Sequence, residues 1–152
     1  MLATQSDNDA VDRMKTLVFV VVNSNPASDL GRAFSASGKY RCTGAYASAK
    51  RAMPLIATAP PDLVVIGAKA NRSTGLEFAR RLVGRVPVKL ILVFDRPGLS
   101  LDAFWEAIRV ADGLLALPVD ASECARAADR VLRGGRFLSG DIASTVLAGG
   151  RP

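Results

Sequence analysis

The sequence predicts an α/β domain in which five strands alternate with five helices, a (βα)5 order. Short runs of apolar and β-branched residues recur along the chain, and each is followed by a segment with a helix-start signal or helical periodicity. Strands that are apolar throughout are typical of a parallel sheet covered by helices on both faces. The length of 152 residues, 49% of them hydrophobic and 22% charged, suits one domain with a large core.

The first half of the chain contains three predicted strands. They cover residues 17–22, 40–46 and 63–66. A helix is expected over residues 26–37, because Asn and Ser precede a proline at its first position. A second helix is expected over residues 48–58, and Pro54 should bend or break it.

The second half contains two further strands and three helices. The strands are predicted over residues 89–94 and 113–117, and the helices over residues 74–83, 101–110 and 121–133. Ser100 should cap the second of these helices. Capping boxes should start the other two, Thr74 with Glu77 and Asp120 with Glu123. In the helix over residues 74–83, the residues expected to face the core are Leu76, Ala79, Leu82 and Val83.

The two ends of the chain lack this alternating pattern. Residues 1–15 show no periodicity and are expected to form a flexible N-terminal arm. The folded domain is predicted over residues 16–134. Residues 135–152 start in a glycine pair and contain a short extra helix near residues 141–147, so we expect a loosely attached C-terminal tail.

The composition excludes several kinds of site. The chain has no histidine, which excludes Ser-His-Asp and Cys-His catalysis and most zinc sites. Cys42 and Cys124 lie outside any C-x-x-C pattern and are expected to be buried thiols. A glycine-rich phosphate loop is also missing from the sequence. We therefore expect no catalytic residues, no metal and no cofactor.

Charge and hydropathy bear on location and partners. The longest apolar run, residues 17–22, is far shorter than the roughly 20 residues of a membrane span. The acidic and polar start of the chain is unlike a signal peptide, so a cytoplasmic protein without membrane contact is expected. The net charge of +6 is carried mainly by arginine, which indicates either an acidic partner or an ordinary solvated surface.

Several segments together resemble one protein family. They are PDLVVI at residues 61–66, TGLEFARRL at 74–82, the turn Ala111-Asp112-Gly113, the Leu117-Pro118 step and VLRGGRFLSGDIA at 131–143. In this order and spacing they resemble the receiver domain of two-component response regulators of the NarL/LuxR type. The resemblance implies a CheY-like, flavodoxin-like doubly wound sheet with strand order 2-1-3-4-5 and a short extra helix. It makes residues 16–134 a receiver-like domain.

The resemblance also shows where this chain departs from the family. Receivers bind Mg2+ and a phosphoryl group with five side chains at the carboxyl ends of the strands. The positions that match those five side chains are Asn23, Ser24, Gly67, Phe94 and Leu117. Gly67 stands in place of the acceptor aspartate, and the neutral oxygens of Asn23 and Ser24 replace the acidic pair that Mg2+ requires. We therefore expect a degenerate phosphorylation pocket that is filled and partly dry.

Two nearby residues leave an alternative open. Asp95 directly follows the fourth strand and is the one candidate for a replacement carboxylate. Lys69 follows Gly67 by two positions, and its ammonium group has the charge to occupy the vacated cation position. The simpler interpretation is that Asp95 caps a loop and Lys69 is solvated. In active receivers two residues switch position on phosphorylation, and these align with Phe94 and with Leu114 or Leu115.

Candidate partner-binding residues lie on the fourth and fifth helices. Trp105 follows Phe104 directly, so the two rings cannot share one helix face. We expect one of them to be exposed as an interface anchor, and the alternative is that both pack against the sheet edges. Arg126 and Arg130 are spaced as i and i+4, which makes a basic ridge. The ridge carries no interleaved aromatic residues and no helix-turn-helix follows it, so direct nucleic-acid binding is not expected.

These observations favour a receiver domain that is not phosphorylated and acts in signal transduction or transcription regulation by protein association. It would form a homodimer or bind a signalling protein or transcription regulator. An alternative is the receiver half of a LuxR-type DNA-binding regulator whose helix-turn-helix is not in this chain. A third interpretation, an enzyme or nucleotide-binding protein of flavodoxin-like shape, lacks the motifs that it needs.

Overall fold

The computed structural model describes the backbone of residues 15–21, 27–69, 74–96 and 99–149. It describes the side chains of residues 30–69, 75–96, 99–144 and 147–148. Asn23 and Ser24 lie outside the described residues.

Six strands and six helices alternate within the described ranges. The strands are β1 Lys15–Val21, β2 Tyr40–Tyr46, β3 Leu63–Ala68, β4 Lys89–Phe94, β5 Gly113–Ala116 and β6 Phe137–Leu138. The helices are α1 Ala27–Ser35, α2 Ala49–Thr58, α3 Thr74–Arg85, α4 Leu101–Val110, α5 Ala121–Leu132 and α6 Gly140–Gly149. In these ranges the longest helices have 12 residues, too few to cross a membrane.

The strands form one parallel sheet in the order β2-β1-β3-β4-β5-β6. The predicted fold class and the order 2-1-3-4-5 are confirmed. The prediction of five strands was incomplete, because β6 adds a sixth strand beside β5, with Gly113 opposite Phe137 and Leu114 opposite Leu138. A strand of two residues is too short to leave a periodic signal in the sequence.

Helices cover both faces of the central strands. Alternate residues of β3 enter two separate buried clusters, Val64 and Ile66 in one and Leu63 and Val65 in the other. The first cluster, here called the α3/α4 cluster, also contains apolar side chains from α2, α3, α4 and α6. The second, called the α1/α5 cluster, contains apolar side chains from α1 and α5. This double covering explains why the central strands are apolar throughout.

The helix starts follow the predicted capping chemistry in two cases. The hydroxyl oxygen of Ser100 accepts a hydrogen bond from the backbone N–H of Ala103 at 3.1 Å. The carboxylate of Asp120 accepts one from the backbone N–H of Glu123 at 2.7 Å. Each bond satisfies a backbone donor that has no acceptor inside its helix. The side chain of Thr74 lies outside the described residues, so its capping box stays a prediction.

Two helices differ from what was predicted. Pro54 was expected to bend or break α2, and the helix is not broken, because it runs without interruption from Ala49 to Thr58. The hydroxyl of Thr58 donates a hydrogen bond to the carbonyl oxygen of Pro54 at 2.7 Å. In α3, Val83 is 45% exposed and Val86, just after the helix, is buried instead. The helix repeat explains this, because position 86 follows Leu82 by four residues and position 83 turns away.

Asp112 ties together the starts of three strands. Its carboxylate accepts a hydrogen bond from the backbone N–H of Leu90 at 3.0 Å, and its own N–H donates to the Leu90 carbonyl at 2.8 Å. Its carbonyl oxygen accepts from the N–H of Phe137 at 3.1 Å. One aspartate therefore fixes the positions of β4, β5 and β6 relative to each other.

The expectation of a loosely attached tail after residue 134 was wrong. Ile142 of α6 is fully buried in the α3/α4 cluster, and Ser139 is buried beside it. The guanidinium of Arg136 donates a hydrogen bond to the carbonyl oxygen of Ile108 near the end of α4 at 2.5 Å. Residues 136–142 thus close the core at the β5 edge of the sheet.

Both cysteines are free thiols, as predicted. Cys124 is buried in the α1/α5 cluster, and burial raises the pKa of its thiol from 9.0 to about 12. Cys42 is only partly buried, and burial also raises the pKa of its thiol.

Replacing Ile142 with alanine tests the attachment of α6. Because the side chain is fully buried, the substitution should lower the free energy of unfolding by about 2–5 kcal/mol. Urea denaturation followed by circular dichroism measures this. Leu147→Ala is the matched control: Leu147 is on the same helix but 68% exposed, so its cost should stay within about 0.5 kcal/mol. Equal effects of the two substitutions would contradict a docked α6.

Candidate functional site

The carboxyl ends of β3, β4 and β5 bring three of the predicted pocket residues together. Phe94 pairs with Ala68 on one side and Ala116 on the other. Gly67 lies one residue before Ala68, and the backbone N–H of Leu117 donates to the Phe94 carbonyl at 2.8 Å. Open parallel sheets commonly bind ligands at this edge, so these three residues are at an edge where a site is possible.

Gly67 differs from its predicted position. It is the fifth residue of β3 and pairs with Val21 of β1 and Val93 of β4. The predicted strand ended at Ile66, the residue before Gly67, because glycine weakens a strand pattern. Gly67 is buried and offers only backbone atoms to the site.

Phe94 and Leu117 point to opposite faces of the sheet. Phe94 is fully buried in the α3/α4 cluster, together with Leu114 and Ala116. Leu117 is partly buried against the α1/α5 cluster, the face to which Leu115 also points. Leu114 therefore shares a face with Phe94, and Leu115 does not.

The two charged residues near the edge are more exposed. The backbone N–H of Asp95 donates to the Ala68 carbonyl at 3.0 Å, which holds Asp95 at this end of the sheet, and its side chain is exposed. Lys69 directly follows β3 and is partly buried. Among the side chains that the structure describes, no group of three or more acidic or cysteine residues has a metal-binding arrangement.

Gly75 packs directly on the end of β3. A Cβ atom at this position would lie 2.7 Å from the Cβ of Ala68 and 3.2 Å from the carbonyl oxygen of Gly67. Only glycine allows the first turn of α3 to approach the strand this closely. The first turn of α3 is therefore held against the end of β3.

The α4 surface carries the exposed aromatic residue that was expected. Trp105 is 51% exposed, whereas Phe104 is partly buried and packs against the α3/α4 cluster. The two rings meet edge to face, with centroids 5.4 Å apart and planes at 70°. Leu101, one turn earlier, is also exposed, and a salt bridge of 3.6 Å from Glu106 to Arg80 joins α4 to α3.

The α5 surface carries the predicted basic ridge. Arg126, Arg130 and Arg133 are exposed at i, i+4 and i+7, and they line a groove of about 470 Å³ with Asp129, Gly135 and Phe137. Asp129 forms a salt bridge of 3.4 Å with Arg133. Burial raises the pKa of Glu123, and the nearby charge of Arg126 partly opposes that rise.

The end of α5 shapes this groove. Gly134 adopts a positive φ of 92°, and its N–H donates to the Val131 carbonyl at 3.0 Å. The N–H of Gly135 donates to the Arg130 carbonyl at 2.9 Å. This pair of bonds is a Schellman motif, which ends the helix and turns the chain toward β6.

Trp105 and the basic ridge do not form one continuous surface. Helix α4 packs on one face of the sheet and α5 on the other, and β6 lies between them. Phe137 of β6 lines both the basic groove and an apolar groove of about 270 Å³ beside α4. Strand β6, which the sequence analysis did not predict, widens this separation at the sheet edge.

Arg136 is directed away from the arginines of α5. Its hydrogen bond to the Ile108 carbonyl directs its side chain toward α4. Near α4, Arg136 lines the apolar groove. It also lines a second groove of about 530 Å³ at the edge of the sheet where the strands begin. A cationic arginine is favourable near the negative C-terminal end of a helix dipole. The sequence does not show this contact, because the contact depends on where α4 lies relative to Arg136.

No protein-family model matches the chain. The chain is 31% identical over 117 residues to a curated relative, protein-glutamate methylesterase/protein-glutamine glutaminase 2 of Burkholderia thailandensis. That match covers 71% of this chain but only 33% of the length of the relative.

Two solved structures have the same fold. A LuxR-family two-component response regulator from Aurantimonas sp. SI85-9A1 has a TM-score of 0.74 at 19% identity, covering 89% of this chain and 96% of that chain. The isolated receiver domain of RcsB from Salmonella enterica serovar Typhimurium has a TM-score of 0.70 at 6% identity, covering 86% of this chain and 99% of that chain. The chain therefore has the CheY-like fold of response-regulator receiver domains.

A pair of glycine substitutions on α3 tests the close packing beside the site. Gly75→Ala should lower the free energy of unfolding by about 1–3 kcal/mol, because the added methyl group overlaps Ala68. Gly84→Ala should raise it by about 0.5–1 kcal/mol, because the position is open and helical. Thermal unfolding of both variants measures the difference. If alanine at the two positions had the same effect, the packing of Gly75 on β3 would be refuted.

Proposed function

We propose that this chain is an atypical receiver module of a two-component signalling system that works without phosphorylation and through protein association. The observation that carries this proposal is the set of residues at the carboxyl edge. Gly67 supplies no side chain, Phe94 is fully buried, and Leu117 is apolar. An edge of this composition favours neither a phosphoryl group nor the cation that accompanies it. The proposed module is not an enzyme and acts in the cytoplasm.

Loss of the phosphoryl group also removes the driving force for switching. A ligand shifts a conformational equilibrium only by its differential affinity for the two states. Phe94 and Leu114 are both buried in the α3/α4 cluster, so neither has an exposed alternative without leaving the core. The proposed module is therefore held in one state, and its surface is constantly available to partners.

Phosphoryl analogues should leave the protein unchanged. With beryllofluoride or acetyl phosphate and Mg2+, the backbone amide signals of residues 67–69 and 94–95 should not shift in NMR spectra, and no phosphate should be incorporated. A receiver with an intact acidic pocket serves as the positive control.

Saturable shifts of those signals would contradict the proposal. Asp95→Asn then identifies the cause, because Asp95 is held at the same edge by the bond of its backbone N–H to Ala68. Shifts that vanish in this variant would make Asp95 a replacement carboxylate. Lys69→Ala tests in the same way whether the ammonium group substitutes for the missing cation.

The surface proposed for association is the exposed apolar ridge of α4, formed by Leu101 and Trp105. An exposed tryptophan beside an exposed leucine is typical of an interface anchor. The proposed assembly is a homodimer through this ridge, or a complex with a signalling protein or transcription regulator. Arg126 and Arg130 on the other face form a second, basic contact surface.

Replacing Trp105 with alanine should weaken the proposed homodimer by at least about 30-fold, the effect of losing a hot-spot anchor. Light scattering over a range of protein concentrations measures the dimer dissociation constant. Leu55→Ala is the matched control, since Leu55 is 52% exposed on α2, away from the ridge.

Trp105 also gives a direct signal of association, because it is the only tryptophan of the chain. Its fluorescence emission should shift to shorter wavelength as the dimer forms and water leaves the ring. A wild-type protein that stays monomeric at high concentration, or equal dissociation constants for both variants, would contradict association through this ridge.

A second candidate function is the receiver half of a LuxR-type transcription regulator. The likeness in fold to a LuxR-family two-component response regulator supports it. In this case a helix-turn-helix domain would follow residue 152 in the native polypeptide. Mass spectrometry of the protein isolated from its source cells tests this directly, because a native mass equal to that of the 152 residues would exclude it.

A further inference from the structure

Two grooves of different character adjoin at the end of α4. The apolar groove of about 270 Å³ lies between α4 and β6, and the groove of about 530 Å³, here called the charged groove, lies where the strands begin. Ala111, Asp112 and Arg136 line both of them. Taken together, the two grooves fall within the roughly 300–1,000 Å³ of small-molecule sites.

The apolar groove exposes almost only carbon to solvent. Its apolar side chains come from α4, β5 and β6, and they are Phe104, Ile108, Leu114, Phe137 and Leu138. Leu138 is 41% exposed, so part of this surface remains in contact with water. An apolar chain or ring that enters the groove removes that surface from water, which is favourable.

The charged groove carries side chains of both signs. Its cations are Lys89, Arg109 and Arg136, and its carboxylates are Asp62 and Asp112. Three positive charges against two negative charges leave one net positive charge in the groove. A ligand with a single negative charge complements this balance, whereas a polyphosphate would exceed it.

The cations of the charged groove have capacity left for a ligand. None of the three forms a salt bridge with another side chain that the structure describes. The guanidinium of Arg136 has several N–H donors, and its bond to the Ile108 carbonyl uses one of them. The carboxylate of Asp112, in contrast, already accepts the backbone N–H of Leu90.

The negative end of α4 is partly neutralised beside the charged groove. The N–H of Ala111 donates to the Ala107 carbonyl at 2.9 Å, and Arg136 donates to the Ile108 carbonyl. These bonds satisfy two of the last carbonyl oxygens of the helix. The repulsion between the helix terminus and a nearby anion is reduced accordingly.

We propose that the two grooves together bind a small amphipathic carboxylate. The apolar body lies in the apolar groove, and the carboxylate lies at Arg136, which lines both grooves. Arginine suits this contact, because its guanidinium binds a carboxylate through two parallel hydrogen bonds. The site is at the opposite end of the strands from Gly67 and Phe94, and it does not depend on association through Trp105.

The first test is a titration of the full chain with hexanoate, octanoate and octanol below their micelle-forming concentrations. In NMR spectra, octanoate should saturably shift the backbone amide signals of residues 108–112 and 136–138. It should bind up to about 15-fold more tightly than hexanoate, because each buried methylene contributes about fourfold. Octanol should bind more weakly than octanoate, because it lacks the charge. This series does not require that any variant folds.

The second test removes two cations and leaves Arg136 in place. The variant Lys89→Gln/Arg109→Gln should weaken octanoate binding about 4–25-fold, since each exposed ion pair contributes about two- to fivefold. Octanol binding should not change. Arg126→Gln/Arg130→Gln is the matched control, because it lowers the net charge equally but lies on α5, away from both grooves.

A third variant alters the apolar groove alone. Leu138→Ser should weaken the binding of octanoate and octanol by the same factor, because it removes apolar surface and leaves the cations unchanged.

Four results would overturn the proposal. Shifts that do not saturate, or that centre on the α5 arginines, would exclude binding in these grooves. Equal affinities for octanoate and octanol would exclude a site for the carboxylate. Equal weakening by the two double variants would indicate a response to net charge alone. Unchanged binding in Leu138→Ser would exclude the apolar groove. None of these results bears on the light-scattering measurement of Trp105→Ala.

Discussion

The burial of β3, β4 and β5 on both faces is the constraint on which the rest of the structure depends. The larger apolar side chains of these strands point into one of two apolar clusters, so a polar side chain in their interior would lose its hydration without gaining a partner. Phe94, the last residue of β4, is also fully buried and apolar. At Phe94 the carboxyl edge is thus a continuation of the core.

Much of this fold was predictable because its signals are local. The bounds of β2, β4 and α4 were predicted to the residue, and the Ser100 and Asp120 caps followed from side-chain chemistry. The misses have non-local causes. Strand β6 exists because β5 offers it a free edge, and Ile142 is buried because α4 and β5 leave an apolar gap. Pro54 stays within α2, where tertiary packing overrides the local penalty.

Predictions about the candidate site divide in the same way, into local features that the sequence indicates and non-local features that it does not. The sequence alone indicated that Gly67, Phe94 and Leu117 lie at one edge, because the ends of parallel strands meet there. It did not indicate which face each side chain occupies, since that depends on strand register. The register shows that Phe94 and Leu114 share a cluster while Leu117 lies opposite. Strand β6 also lies between Trp105 and the α5 arginines. The sequence analysis placed these residues on successive helices and did not predict the strand between them.

The hydrogen bond from Arg136 to the Ile108 carbonyl links the segment that enters β6 to the end of α4. It crosses from the segment that leads into α6 to the last turn of the helix that carries Trp105. Apolar surfaces slide with little loss of energy, whereas a charge-assisted bond to a helix terminus has one favourable geometry. Displacing residue 136 along the sheet therefore breaks this bond. In mechanical terms, Arg136 couples the position of the segment that enters β6 to the position of α4.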